Sequence, residues 1–196
     1  EVKDILAFLR LIANPSDDIA LERIVNVPTR GISARILSEL RRVATVNDVS
    51  LLDVVLDISR VQVGDDQPAA FEVELATRAL KSVGAFGELV TRLFEQSMAL
   101  DTTELIDLTV ESSGYGAMLR EDKERGEERM ENLQELKASA EQFGGSEERG
   151  QLVDFLENVA LVSDVDGLQG GDELGAGDEA LTLITLHQAK GLEYEA

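Results

Sequence analysis

Apolar residues recur along most of this chain at helical spacing. Val2, Ile5, Leu6, Leu9, Ile12 and Ala13 share one helical face, and Asn14-Pro15 ends it, because proline lacks the N–H a helix needs. Ser16, Asp17 and Asp18 can cap a short second helix bearing Ile19, Leu21, Ile24 and Val25. Asn26-Val27-Pro28 breaks the chain again. Thr29-Arg30-Gly31-Ile32-Ser33 then leads into a helix with Ile36, Leu37, Leu40, Val43 and Ala44 inward, and Ser33 can cap it. Ser50 caps a helix through Leu51, Leu52, Val54, Val55, Ile58 and Val61.

Farther on, residues 64–68 form a loop whose Pro68 is placed to open a long helix. Phe71, Leu75, Leu80, Val83, Phe86, Leu89, Val90, Leu93 and Phe94 point inward from it; aromatics at this spacing read as core, not as a base-stacking platform. Asp101-Thr102-Thr103-Glu104 is a capping box for a helix ending near Ser113-Gly114. From Tyr115 a charged helix is expected to run on to Phe143, pinned by Met118, Leu119, Met130, Leu133 and Leu136. Its charges alternate in sign, as on a solvated face. A last helix passes through Leu152, Phe155, Leu156, Val159 and Leu161.

The pattern then changes. Residues 163–179 hold five glycines and six acids, the composition of a flexible linker, assigned to 164–179. Asp164, Asp166 and Gly167 resemble the start of a calcium loop. Counting from Asp164, however, Gln169 and Gly175 stand where that loop needs glycine and glutamate, so no metal site is assigned. Leu181, Leu183, Ile184 and Leu186, with Thr182 and Thr185 between, read as a short buried strand. It opens into a polar turn carrying His187, Gln188, Lys190, Gly191 and Glu193, in the position from which functional loops leave a strand. The fold class expected is mainly α, with one short terminal strand.

Charge changes the functional picture. A net charge of −21 argues against a nucleic-acid-binding surface spread over the whole molecule. Residues 1–62 nevertheless carry eight Lys/Arg against nine Asp/Glu, so almost all the excess lies beyond them. Residues 28–42 hold Arg30, Arg35, Arg41 and Arg42 against Glu39 alone, and any nucleic-acid contact belongs there. Free N–H groups at a helix start beside arginines make an anion site; the alternative is an ordinary helical corner with solvated arginines. The chain has no cysteine, which excludes a disulfide framework and fits a reducing cytoplasm. One histidine cannot build a multi-histidine metal site. No apolar run is long enough for a membrane span, and residues 1–10 read as an amphipathic helix rather than a signal sequence.

Two stretches carry a family resemblance. TLHQAKGLE, within residues 180–196, resembles motif V of the UvrD-like superfamily 1 DNA helicases, the UvrD, Rep and PcrA group. EVKDILAFLRLIANPSDDIALERIVNVPTRGIS, at the other end, is similar to the same family's EIKD-type helix, YLRL-type core, N-P-D-D turn and N-x-P-x-R-G-I-G segment. Ser33 departs from it at the second glycine. Arg129-Met130-Glu131-Asn132 resembles an element of a later helix in that family.

The resemblance implies a fragment of an ATP-dependent helicase that moves 3′ to 5′ on single-stranded DNA. Residues 1–26 and 180–196 would belong to a RecA-like α/β lobe called 2A, which contributes the terminal strand. Residues 27–163 would be its helical 2B insertion, which touches duplex DNA and regulates unwinding. It implies duplex contacts at Arg30, Gly31, Ile32, Ser33 and Arg35. It assigns Thr185 and His187 to the single-strand backbone or to the coupling between DNA and nucleotide; the alternative for His187 is a turn histidine bonded to backbone. Glu193 would meet the ATP ribose, while Lys190 and Gly191 would shape the motif turn. ATP and Mg are expected in the complete enzyme and not in the fragment, because no G-x-x-x-x-G-K-[ST] loop occurs to cradle phosphates. The partners implied are DNA and the remaining helicase domains, in a cytoplasmic enzyme of DNA repair or replication. An acidic helical protein-interaction module that never meets DNA is the competing expectation.

Overall fold

The computed structural model describes residues 1–142 and 152–161. The linker and the terminal strand expected over 164–186, and the turn that follows, lie outside the described residues. Residues 1–159 form one compact unit; of the second, 160–196, only Ala160 and Leu161 are described. Among the described residues the secondary structure is helical, in agreement with a mainly α fold.

Eight helices run in order: α1 (Val2–Ala13), α2 (Asp18–Ile24), α3 (Ala34–Asn47), α4 (Leu51–Gln62), α5 (Thr77–Ser97), α6 (Thr102–Ser112), α7 (Tyr115–Glu121) and α8 (Gly126–Glu141). A further helical stretch, α9, covers residues 152–161. Side-chain caps set the starts of α2, α3, α4 and α6. Asp17 accepts from the Ala20 N–H to cap α2, and Ser50–Asp53 and Asp101–Glu104 form reciprocal capping boxes on α4 and α6. Asp18 accepts from the Leu51 N–H at 2.9 Å, tying the start of α2 to that of α4.

α1 lies at the centre. Its residues Ile5 to Leu9, with Leu11 and Ile12, are all buried, and it packs against α2, α5, α6 and α8. Phe8, Phe86, Tyr115 and Phe155 are among the largest fully buried side chains, each contributing roughly 1.5–3 kcal/mol of hydrophobic stabilisation. α4 and α5 form the most extensive helix pair. They close in because α5 presents glycine at the crossing: a Cβ on Gly87 would lie 2.5 Å from the Ser59 Cβ, and one on Gly84 would lie 2.9 Å from the Gln62 Cγ.

Three expectations need correction. The long helix does not open at Pro68; α5 begins at Thr77. The buried Asp57 carboxylate accepts from the Ala70 and Phe71 N–H groups, Arg60 donates to the carbonyls of Gln67 and Pro68, and Glu39 takes the Glu74 N–H. These tertiary partners use groups a helix would need, so Phe71 and Leu75 pack inward from a non-helical segment. The charged helix after Tyr115 is broken in two: Asp122 Oδ1 accepts from the N–H groups of both Glu124 and Arg125, an alternative to the helical ladder. Ile19 does not face the core; it is 84% exposed.

Candidate nucleic-acid interface

Between α2 and α3 the chain reverses through a turn organised by one side chain. Asn26 Oδ1 accepts from the backbone N–H of Arg30 at 2.8 Å and of Ile32 at 3.1 Å. Gly31 sits at φ +77°, a conformation glycine takes without the steric cost of a Cβ. Ser33 sits at φ −76° and caps α3, so serine costs nothing in backbone strain at this departure from the G-I-G pattern. Ile32 is 3% exposed. Its side chain and its N–H both serve the fold, and it anchors the turn from inside. Gly31, Ser33 and Arg35 are exposed beside the first turn of α3, whose leading N–H groups have no partner within the helix.

Arg30 points its chemistry into the protein. Nη1 donates to the carbonyls of Ile24 and Pro28, both at 3.1 Å, and Nη2 donates to the carbonyl of Ser113 at 2.9 Å. The guanidinium also lies 5.4 Å from the centroid of the Phe86 ring, within cation–π range. Burial lowers its pKa to about 10, which still leaves it protonated at neutral pH. Three of the five N–H groups of a guanidinium are thereby occupied. The other two make no hydrogen bond among the described residues.

The neighbouring arginines differ in availability. Arg41 is paired with Glu22, and Arg42 with Glu39 at 2.7 Å. Arg35 is exposed and makes no ion pair among the described residues. The turn also sits beside α5: a Cβ on Gly31 would come within 3.8 Å of the Ser82 Oγ. Arg30 and Ser113 line an open cleft together with Arg78, Lys81, Ser82, Glu88 and Arg92 of α5. The two stretches that meet here are the acid-free Arg23–Ser38 and the acid-free Leu75–Gly87. In so acidic a chain, that juxtaposition creates a local positive field.

Sequence reasoning brought Arg30, Gly31, Ile32, Ser33 and Arg35 together, and the structure places them on one turn and helix start. It missed the organising role of Asn26 and the cations of α5. The three-four-three-four spacing of Arg78, Lys81, Ala85, Glu88 and Arg92 marks one solvent face of a helix, but nothing local says that this face adjoins the turn. Thr185, His187, Lys190, Gly191 and Glu193 lie outside the described residues. Among the described residues there is no group of three or more acidic or histidine side chains able to hold a metal ion, and no helix long and apolar enough to cross a membrane.

Comparison with known proteins gives a consistent picture. The UvrD-like helicase C-terminal domain matches residues 1–196. The chain is 34% identical over 195 residues to the ATP-dependent DNA helicase PcrA of Bacillus subtilis, covering 99% of this chain and 25% of that protein. It is 35% identical over 201 residues to the PcrA helicase of Leuconostoc citreum, with coverage of 99% and 25%. To DNA helicase II of Escherichia coli it is 34% identical over 198 residues, again covering 99% and 25%. The chain thus spans about a quarter of the length of the curated relatives it matches.

Proposed function

Because the chain belongs to the UvrD-like helicase C-terminal domain family, matched over residues 1–196, we propose that it is the 2B-type insertion, with flanking 2A segments, of an ATP-dependent 3′–5′ DNA helicase. In this reading residues 27–163 form the 2B domain and residues 1–26 and 180–196 belong to 2A. The Gly31 turn and the start of α3 meet the backbone of the duplex ahead of the motor and so regulate unwinding. One observation carries the reading: the acid-free turn, with Arg35 unpaired, lies against the acid-free first half of α5 in a chain of net charge −21. Such a surface neutralises phosphates and releases their counterions, which binds duplexes without reading base sequence.

The remaining roles belong to the same proposal. Thr185 and His187 would meet the single strand, and Glu193 the ATP ribose. ATP and Mg would be held by the complete enzyme, and no step of nucleotide chemistry is assigned to the described residues. DNA and the other helicase domains are the partners, in a cytoplasmic enzyme of DNA repair or replication.

Fluorescence polarisation with a duplex–single-strand junction, titrated across salt concentrations, tests this function. Log affinity should fall linearly with log salt, by about 0.9 in slope for each phosphate neutralised. Absence of salt-dependent junction binding at every ionic strength would sink it and leave the acidic protein-interaction module standing.

A further inference from the structure

We infer that the exposed row Arg78, Lys81 and Arg92 on α5 forms the second half of the duplex-binding surface, taking phosphates of the same DNA backbone that the Gly31 turn meets. The inference rests on the duplex-contact reading above and names the residues that would give that contact most of its salt dependence.

Four features point to the row. All three cations are exposed, and none makes an ion pair among the described residues. Two other exposed arginines near the turn are neutralised in place, Arg41 by Glu22 and Arg42 by Glu39, whereas Arg35 at the start of α3 is unpaired like the row. All three line the cleft reached by Arg30 and by Ser82, the residue nearest the Gly31 turn. The helix beneath them is closely packed, because Gly84 and Gly87 seat α5 directly on α4. At 1.5 Å per residue, Arg78 to Arg92 spans about 21 Å of helix, or about six base-pair steps of roughly 3.4 Å. A helix presenting charge over that length lies along a strand of the duplex instead of touching it at one point.

Arg30 is not a member of the row. Three of its N–H groups serve the carbonyls of Ile24, Pro28 and Ser113. Glu88 is the one carboxylate lining the cleft. It opposes a phosphate, which supplies a test of opposite sign.

The experiment uses the chain and the longer helicase that carries it, with a junction of fixed sequence and folding of each variant confirmed by far-UV circular dichroism. Arg78→Ala, Lys81→Ala and Arg92→Ala should each reduce the slope of log affinity against log salt by about 0.9, and Lys81→Arg should restore it. Glu88→Gln should tighten binding roughly two- to fivefold at low salt, as expected for removal of one exposed like charge. If the unmodified protein binds steeply but all three alanine variants keep its slope and affinity, the row is not a phosphate site, and the duplex reading stands on the turn alone. If the unmodified protein shows no salt-dependent junction binding, both readings fall. Equal salt-dependent binding to anionic phospholipid vesicles, lost in the same variants, would overturn the assignment to DNA.

Discussion

The Tyr115 hydroxyl donates to Asp4 Oδ2 at 2.8 Å, joining α7 to α1 across 111 residues of chain. Asp4 also receives Arg23 at 2.8 Å. On the other side, Arg129 donates to the Tyr115 oxygen at 3.3 Å and to Glu1 at 3.2 Å, and Asn132 donates to Glu1 at 2.7 Å. A polar seam therefore runs from α2 through α1 to α7 and α8. In the proposed domain reading it is where the 2A segment grips the 2B helices. Burial and the Asp4 carboxylate both push the Tyr115 phenol upward in pKa, so it stays a donor across the accessible range.

Tyr115→Phe keeps the fully buried ring and deletes the hydroxyl. A hydrogen bond to a charged group contributes about 1.5–3 kcal/mol, and a loss of that size is expected in urea denaturation. A loss below about 0.5 kcal/mol would show that the seam adds little to the fold.

Asn26→Ala removes the acceptor shared by the Arg30 and Ile32 N–H groups. Leaving part-buried donors unsatisfied should cost about 1–3 kcal/mol. The turn should loosen as well, weakening junction binding while the salt slope stays unchanged, since no cation is lost. A variant with unaltered stability and affinity would refute the organising role.

Gly126→Ala places a Cβ 2.0 Å from the Leu119 carbonyl oxygen, a backbone atom that cannot swing aside. Destabilisation of about 1–3 kcal/mol is expected, as for overpacking elsewhere. Gly114, at φ +81° with nothing within 4 Å of a Cβ, separates crowding from conformation. Its alanine variant should lose only about 1–2 kcal/mol from the left-handed backbone. A Gly126→Ala protein as stable as the parent would mean that α7 and α8 can move apart freely.

Glu39 is held well below its ordinary 4.5, at about 2, first by the hydrogen bonds from Arg42 and then by the Glu74 N–H. A carboxylate whose pKa is depressed by folding stabilises the fold above its unfolded pKa and loses that contribution as pH falls through its folded pKa. Thermal midpoints should therefore fall between pH 4.5 and about 2 more steeply in the parent than in Glu39→Gln. Parallel curves for the two proteins would remove Glu39 from the acid response.

Much of this protein was legible in its sequence because the deciding interactions are local. Helix starts depend on a cap and an N–H three residues on, so Ser33, Ser50 and Asp101 could be read directly, and Asp17 as one of three adjacent candidates. Helical spacing likewise marked Leu9, Phe86 and Leu93 as core positions, though it passed over the buried Phe8, and the arginine-rich turn stood out by composition. Tertiary structure decided what those local signals could not. The non-helical path to Thr77 depends on Asp57 of α4 and Glu39 of α3, residues that no window around Pro68 contains. Arg30 spends its guanidinium on the Ser113 carbonyl, 83 residues away. Arg78 and Lys81 share a cleft with Arg30 only in the folded chain, where α5 lies beside the Gly31 turn. A sequence displays each residue's chemistry and its partners within a helical turn, whereas partners brought from distant chain positions exist only once the core has packed.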